Sequence, residues 1–231
     1  MKRKNILKLI FVILIFFFGS LLIVDAFRLI GINPKAFDSK DMNYFDCFIE
    51  LTYAVIIYLL YRNYFRIDFR ELKSGFKKYF LEILKYFALF MVVKIASAAL
   101  TSIVGFALGV EIGESENQNI IIGLTSSAPI MMLISTAILA PIVEEGIFRL
   151  GFRKVINNKY LFMIISGLVF GFMHIFPTEL SMSIALTYSI TYVTMGVLLA
   201  YVYVETDNIW FPIIIHALNN FISMLAIIMI G

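Results

Sequence analysis

Seven long apolar runs constrain the fold of this 231-residue chain more than any other feature. A helix needs about 20 apolar residues to cross a bilayer, and each run comes near or exceeds that length. Because lipid offers no partners to backbone N–H and C=O groups, such a segment crosses as a helix. The sequence therefore predicts an all-α, polytopic membrane bundle of about seven transmembrane helices, at 6–26, 45–61, 80–110, 122–152, 160–176, 180–204 and 209–230.

Composition supports a membrane protein and narrows the possible functions. Apolar residues make up 61% of the chain, against about half in a soluble domain, so no soluble domain is expected beside the helices. Cys47 is the single cysteine, which excludes an internal disulfide and a cysteine-cluster metal site. The net charge of +3 is spread over the connections. We therefore expect the lipid bilayer and a membrane peptide or protein as partners, and no nucleic acid.

The basic residues of the connections predict the orientation in the cell membrane. The N-terminus begins with Lys2, Arg3 and Lys4, and the connections at 62–78 and 153–159 are also basic. The connection at 111–119 has three glutamates and no basic residue. By the positive-inside rule the N-terminus is cytoplasmic and the C-terminus external. The first run is expected to stay as an anchor, because it is longer than the apolar part of a signal peptide.

Two adjacent carboxylates, Glu144 and Glu145, lie inside the fourth apolar run. A charge at the centre of a membrane helix costs about 2.5–3.5 kcal/mol, so intramembrane carboxylates are typical of functional sites. The alternative is that both glutamates lie among the lipid headgroups and only end a helix. Glu145 and Arg149 are four residues apart and would pair on one helix face. Glu144 lies about 100° around the helix, so its partner must come from another helix.

Both histidines of the chain, His174 and His216, also lie inside apolar runs. The fourth and fifth runs are expected to form a hairpin that turns near 157–159. Glu144 and His174 are each fifteen residues from Lys159, or about 22 Å along a helix, and would lie at the same depth. His216 could reach that depth if the helices tilt, and it shares a helix face with Asn220. Lys94 is a further deep charge, in the third run.

A carboxylate, two imidazoles and an amide suit the hydrolysis of an amide bond. A carboxylate beside an imidazole can activate water, and a second histidine with an asparagine can donate hydrogen bonds to an oxyanion. Glu144, His174 and His216 would equally make a usual catalytic zinc set, and spacing alone leaves both chemistries open. The chain has no His-Glu-x-x-His and no Gly-x-Ser-x-Gly motif. Its aspartates lie near helix ends, so a paired-aspartate site is not expected.

Three motifs occur in order on successive core segments: Glu-Glu-x-x-x-Arg at 144–149, Phe-x-x-x-His at 170–174 and His-x-x-x-Asn at 216–220. Over about 125–225 they resemble the motifs of the CAAX protease and bacteriocin-processing family, often called CPBP or Abi proteins. The resemblance implies an α-helical intramembrane endopeptidase. It also implies roles for the candidate residues: Glu144 and His174 would activate water, His216 and Asn220 would form the oxyanion site, Glu145 and Arg149 would support them, and Phe170 would pack beside them.

The family is often labelled a metalloprotease, and a glutamate-based mechanism without metal has also been argued. We favour the metal-free form, because Asn220 is a poor zinc ligand and a good oxyanion donor; no cofactor is therefore expected, and zinc held by Glu144, His174 and His216 is the alternative. The chain is divided into N-terminal transmembrane helices, 1–115, and a catalytic core, 116–231.

Two other classes of function use the same polar residues. A non-enzymatic scaffold or immunity protein would bind a partner in the cavity, and a small transporter would use Glu144 and the histidines as a proton relay. A transporter is expected to show repeated halves or matching broken helices, which the sequence lacks. The intact set of three motifs favours the peptidase over the scaffold. The resemblance implies a role in bacteriocin or peptide maturation, or in self-immunity.

Overall fold

The computed structural model describes residues 2–110, 116–175 and 182–230, and in these ranges all regular secondary structure is helical. The all-α prediction is thereby confirmed. A short 3₁₀ helix, Pro34–Ala36, joins the first two helices. The α-helices are α1 Lys2–Leu29, α2 Ser39–Ser74, α3 Phe76–Leu108, α4 Glu116–Thr125, α5 Pro129–Ile134, α6 Ala140–Glu145, α7 Lys159–Met173, α8 Met182–Thr206 and α9 Trp210–Ile230.

Helices α5 and α6 are parts of one continuous helix, Pro129–Gly151, here called the site helix. It contains two π-helical turns, Ser135–Leu139 and Gly146–Gly151. The first lies just before Pro141, which lacks a backbone N–H and whose ring crowds the preceding turn. Wider turns of this kind are frequent at functional sites, because they shift the register of the side chains that follow.

Within the described ranges, six helices are long and apolar enough to span a membrane: α1, α2, α3, the site helix, α8 and α9. The predicted multi-pass bundle is therefore confirmed. The run predicted at 160–176 forms the shorter helix α7, which has 15 residues. At 1.5 Å per residue it is about 22 Å long, below the roughly 30 Å of a hydrocarbon core. Positions 176, 180 and 181 of the predicted runs lie outside the described residues. The orientation of the N-terminus stays a prediction.

Two connections differ from the sequence prediction. The basic segment 62–78 is helical almost throughout, because α2 continues to Ser74 and α3 begins at Phe76. The predicted end of the second run coincides with a kink at Tyr61, whose φ and ψ are −115° and 15°. The run predicted at 122–152 is interrupted before Pro129. Ala128 is non-helical there, as expected for a residue that precedes proline.

The hydrophobic core combines the N-terminal helices with the later ones. One cluster packs α1 and α2 against the site helix and α7 around Val12, Ile57, Phe148 and Phe162. Gly146 permits this contact, since a Cβ there would lie 2.4 Å from a methyl group of Ile57. The second cluster joins α3, α8 and α9. The site helix belongs to the first cluster. The division at residue 115 stays a prediction.

Helices α7 and α8 approach each other through glycines. A Cβ on Gly167 would lie 2.7 Å from the backbone nitrogen of Val197, and one on Gly171 would lie 2.6 Å from that of Val193. Glycines four residues apart form the small-residue surface that lets membrane helices pack backbone to backbone. This contact holds the helix that ends at His174.

We expect Gly167→Val to lower the free energy of unfolding of the detergent-purified protein by about 1–3 kcal/mol or more, and its unfolding temperature with it. The added side chain meets backbone atoms of α8 that cannot move aside alone. Gly123→Val is the matched control, because a Cβ on Gly123 has nothing within 4 Å. Equal unfolding temperatures for the two variants would contradict this account of the α7–α8 contact.

Candidate active site

A cavity of about 680 Å³ opens inside the bundle and contains the candidate site. Its walls come from α1, α2, α3, α4, the site helix, α7, α8 and α9. In a chain this apolar, such a concentration of polar groups marks the part of the interior where chemistry or binding takes place. The polar and charged residues that line it include Glu50, Lys94, Ser135, Thr136, Glu144, His174, His216, Asn219 and Asn220.

Glu145 and Arg149 form a fully buried ion pair at the base of the site. Arg149 Nε lies 2.9 Å from Glu145 Oε2, and both side chains have no exposed surface. Arg149 Nη2 also donates to the carbonyl of Gly196 at 3.3 Å, and the guanidinium carbon lies 4.5 Å from the centroid of the Phe170 ring. The pair therefore ties the site helix to α7 and α8.

The carboxylate of Glu145 also holds His216 in place. Its Nδ1 lies 2.9 Å from Glu145 Oε1. Glu145 is paired with Arg149 and therefore accepts only, so Nδ1 must carry the proton that is donated. The other ring nitrogen, Nε2, lies 4.0 Å from Glu144 Oε2. Glu145 thus bridges a guanidinium and an imidazole and sets the orientation of the ring.

His174 follows the last residue of α7 and is oriented by its own helix. Its Nδ1 lies 2.8 Å from the carbonyl oxygen of Phe170, which can only accept, so Nδ1 again carries a proton. The ring stacks on Tyr192 with centroids 4.9 Å apart and packs on Phe170 at 4.6 Å. Its Nε2 lies 3.9 Å from Glu144 Oε2. Phe170 packs beside both histidines, since its centroid is also 5.8 Å from that of His216.

Glu144 is the group on which both imidazoles converge. The two distances to its Oε2, 3.9 and 4.0 Å, are too long for direct hydrogen bonds and nearly equal, so distance does not distinguish the two histidines. In its neutral form each ring directs an Nε2 lone pair towards the carboxylate. Two lone pairs and a carboxylate favour a hydrogen-bond donor between them, such as water, or an extra proton on one ring.

Asn220 lies one turn beyond His216 in α9 and reaches the site helix. Its Nδ2 donates to the carbonyl of Thr136 at 2.8 Å, and its Oδ1 accepts from Asn219 Nδ2 at 3.0 Å. In the π turn, Ala140 donates to Ser135 five residues back. The next donor in that register would be residue 141, which is a proline. The Thr136 carbonyl therefore takes its hydrogen from Asn220, and the second Nδ2 hydrogen stays available.

Three charged residues of the cavity, Asp46, Glu50 and Lys94, received no role from the sequence. Glu50 accepts a hydrogen bond from the Ser135 hydroxyl. Lys94 donates to Asn219 Oδ1 at 2.7 Å. The sequence signal for Glu50 and Lys94 is an ionisable residue inside an apolar run, which marks a polar interior without naming a partner. The link between Glu145 and His216 was also missed, because it joins residues of different helices.

The donor set of Glu144, His174 and His216 has the chemistry of a zinc site but not its spacing. A tetrahedral zinc with bonds of about 2.0–2.1 Å holds its ligand atoms about 3.3 Å apart. The two distances to Glu144 are 3.9 and 4.0 Å. Among the residues that the structure describes, no three His, Cys, Asp or Glu side chains are grouped closely enough to hold a metal ion. These residues therefore do not present a ready-made metal site.

Comparisons with known proteins find one family match and similar bacterial proteins. Residues 126–222 match the family described as type II CAAX prenyl endopeptidase Rce1-like. "Putative membrane peptidase YdiL" of Bacillus subtilis is 33% identical over 110 residues, which cover 46% of this chain and 41% of YdiL. The UPF0177 protein YvdC of Lactococcus lactis is 29% identical over 152 residues, or 64% of this chain and 53% of YvdC. The chain thus spans about half or less of these relatives. No solved structure matches it.

Proposed function

We propose that the chain is an intramembrane endopeptidase, because residues 126–222 match the family described as type II CAAX prenyl endopeptidase Rce1-like. It hydrolyses a peptide bond in a membrane-associated protein or peptide. One observation carries the proposal: a carboxylate oxygen of Glu144 lies 3.9 and 4.0 Å from Nε2 of His174 and His216, inside a cavity of about 680 Å³ within the membrane bundle. This arrangement can place and deprotonate one water molecule.

In the first step the water lies between Glu144 and His174. It donates one hydrogen to the carboxylate and the other to the His174 Nε2 lone pair, so an oxygen lone pair faces the substrate. The water oxygen attacks the scissile carbonyl carbon while its proton passes to Glu144. General-base assistance of this kind contributes roughly 10²–10⁴ in rate. Phe170 and Tyr192 hold the His174 ring in place.

The oxyanion that forms needs donors on the other side of the site. Asn220 supplies the Nδ2 hydrogen that Thr136 does not use. His216 supplies an Nε2 hydrogen when it is protonated. Two carboxylates and one guanidinium leave a net charge of −1 among Glu144, Glu145 and Arg149, so a proton on His216 neutralises the buried cluster. In the last step Glu144 gives its proton to the leaving nitrogen and the carbon–nitrogen bond breaks.

The proposal is tested with purified protein reconstituted into phosphatidylglycerol–phosphatidylethanolamine vesicles. The probes are an internally quenched farnesylated CAAX peptide, the same peptide without the lipid, and a mixture of single-span membrane peptides read by mass spectrometry. Wild type should cut at least one probe at a defined bond. The prenylated probe tests the reaction named for the family; cleavage of a single-span peptide alone would favour peptide maturation or self-immunity. Cleavage of none would leave the binding scaffold as the better account.

We expect a strong zinc chelator to leave this activity unchanged, because water is placed and deprotonated by Glu144 and His174 without a metal. The measurement is the cleavage rate before and after chelation and after zinc is added back. An inert analogue of the chelator that binds no metal controls for damage to the vesicles. Loss of activity on chelation, restored by one equivalent of zinc, would contradict the metal-free mechanism and leave the peptidase assignment intact.

We further expect Asn220→Ala to lower kcat by about 10²–10³ with KM nearly unchanged, because an oxyanion donor acts in the transition state and not on bound substrate. The substitution also leaves the Thr136 carbonyl without its donor. Thermal unfolding of the variant therefore has to be measured beside its kinetics. A folded Asn220→Ala protein with wild-type kcat would remove Asn220 from the oxyanion site.

A further inference from the structure

A chain of three hydrogen bonds crosses the cavity from α3 to the site helix. Lys94 Nζ donates to Asn219 Oδ1 at 2.7 Å. Asn219 Nδ2 donates to Asn220 Oδ1 at 3.0 Å, and Asn220 Nδ2 donates to the Thr136 carbonyl at 2.8 Å. The mechanism above uses only the last asparagine. The chain begins at a cation and ends at a backbone carbonyl of the site helix, and Thr136 and Glu144 both line the cavity.

The two ends of this chain determine the direction of every bond in it. The oxygen and nitrogen of an asparagine amide are hard to tell apart singly, and an isolated amide can turn over. Lysine has only donors and a backbone carbonyl is only an acceptor. Lys94 therefore requires the oxygen of Asn219 on its side, and Thr136 requires the nitrogen of Asn220. Only one orientation of both amides satisfies all three bonds.

A lysine at the position of Lys94 is energetically unfavourable. It lies in the middle of α3, a membrane-spanning helix, and lines the cavity. Among the described residues no carboxylate lies within ion-pair distance of its ammonium group, and its hydrogen-bond partner there is Asn219. An unpaired charge at membrane depth is rare and usually functional. Its hydrogen bonds connect it to the site helix through the two asparagines.

We propose that Lys94 and Asn219 are positioning residues that hold the Asn220 amide with its N–H groups towards the oxyanion. This inference rests on the proposed function. Hydrogen bonds in series polarise one another, so a cation at the head of the chain also strengthens the last donor. The oxyanion site thus extends from Asn220 through Asn219 to a positive charge on α3. That charge stabilises the developing negative charge without touching the substrate.

The experiment measures kcat and KM on the reconstituted protein, with the farnesylated CAAX peptide or the single-span peptide that wild type cuts fastest. Lys94→Met keeps the length of the side chain and removes its donor, and should lower kcat about 10- to 100-fold with KM within about twofold, which is less than the loss for Asn220→Ala. Lys94→Arg, another pure donor, should recover most of the activity. Lys85→Met is the matched control on the same helix, since Lys85 lies over the Tyr86 ring and outside the cavity wall.

Asn219→Asp separates an oriented chain from a simple contact between α3 and α9. An aspartate keeps an oxygen for Lys94, with a stronger attraction, but it has no hydrogen for Asn220. The proposal expects kcat to fall as in Lys94→Met while the unfolding temperature stays at or above that of wild type. The double variant Lys94→Met/Asn219→Ala should be no worse than the poorer single variant, because both break one chain.

The outcomes distinguish the positioning role of Lys94 and Asn219 from the peptidase function itself. Wild-type kcat in Lys94→Met or Asn219→Asp, with Asn220→Ala impaired, overturns the positioning role and leaves the peptidase intact. A rise in KM without a fall in kcat would assign Lys94 to substrate binding and also overturn it. Wild-type kcat in Asn220→Ala overturns the oxyanion site together with this extension. A wild-type protein that cuts none of the probes overturns the proposed function and the inference with it.

Discussion

Glu144→Gln is expected to abolish detectable cleavage, with a loss of roughly 10²–10⁴ in kcat, while the protein stays folded. Glutamine has the shape of glutamate and can still meet the two imidazoles, but it cannot take a proton from water. Glu144 makes no direct hydrogen bond to either ring, because both Nε2 atoms lie about 4 Å away. Among the described residues the substitution therefore breaks no direct hydrogen bond to either histidine. The measurement is the initial cleavage rate in vesicles, beside the unfolding temperature.

Glu50→Gln is the matched control for this variant. It makes the same change from carboxyl to amide in the wall of the same cavity, and glutamine still accepts a hydrogen bond from Ser135. Activity within a few-fold of wild type is expected, since the reaction uses Glu144 and not the total charge of the cavity. A Glu144→Gln protein that cleaves as well as wild type would refute the general-base role. If the variant also performs normally in cells and wild type cleaves nothing, the scaffold function is the better account.

Much of the fold is predictable because a membrane helix can be recognised in the sequence by its length and hydropathy. Six of the seven runs became helices that can span a bilayer. Hydropathy reports which residues meet lipid, however, and not where a helix ends. Helix α2 therefore continues past Tyr61 through basic residues, which are compatible both with an aqueous environment and with an α-helix. The break before Pro129 follows from local backbone sterics. Helix α7 ends at Met173, three residues before the end of the predicted run, because hydropathy alone does not mark a helix end.

The site was predictable to the extent that it depends on spacing within one helix. Glu145 and Arg149 pair at the four-residue spacing, and the hairpin geometry gave the common depth at which Glu144 and His174 lie 3.9 Å apart. Contacts between helices depend on rotation and tilt, which spacing does not encode. The bond from Glu145 to His216 is of this kind. So is the bond from Asn220 to a carbonyl that Pro141 leaves without its π-helical donor.

Arg149→Met is expected to be the most destabilising single substitution in the site, at about 3–5 kcal/mol. Methionine fills much of the volume but leaves Glu145 with no cation to balance its charge. Both partners of this pair have zero exposed surface, so water cannot replace the lost cation. Arg149 also donates to Gly196 and packs on Phe170, so its removal loosens α7 and α8 as well. Reversible unfolding in detergent, followed by circular dichroism, measures the effect.

The double variant Glu145→Gln/Arg149→Met separates charge from packing. Removing both charges should recover much of the stability, because the larger part of the single-variant loss is the unpaired buried carboxylate. Arg28→Met is the surface control: Arg28 pairs with Asp25 at 3.0 Å in a mostly exposed position, and its loss should cost at most about 1 kcal/mol. Activity should not return in the double variant, because a neutral amide on His216 Nδ1 stabilises a protonated ring less than a carboxylate does. A double variant that regained both stability and activity would show that Glu145 acts on the fold alone and not on His216.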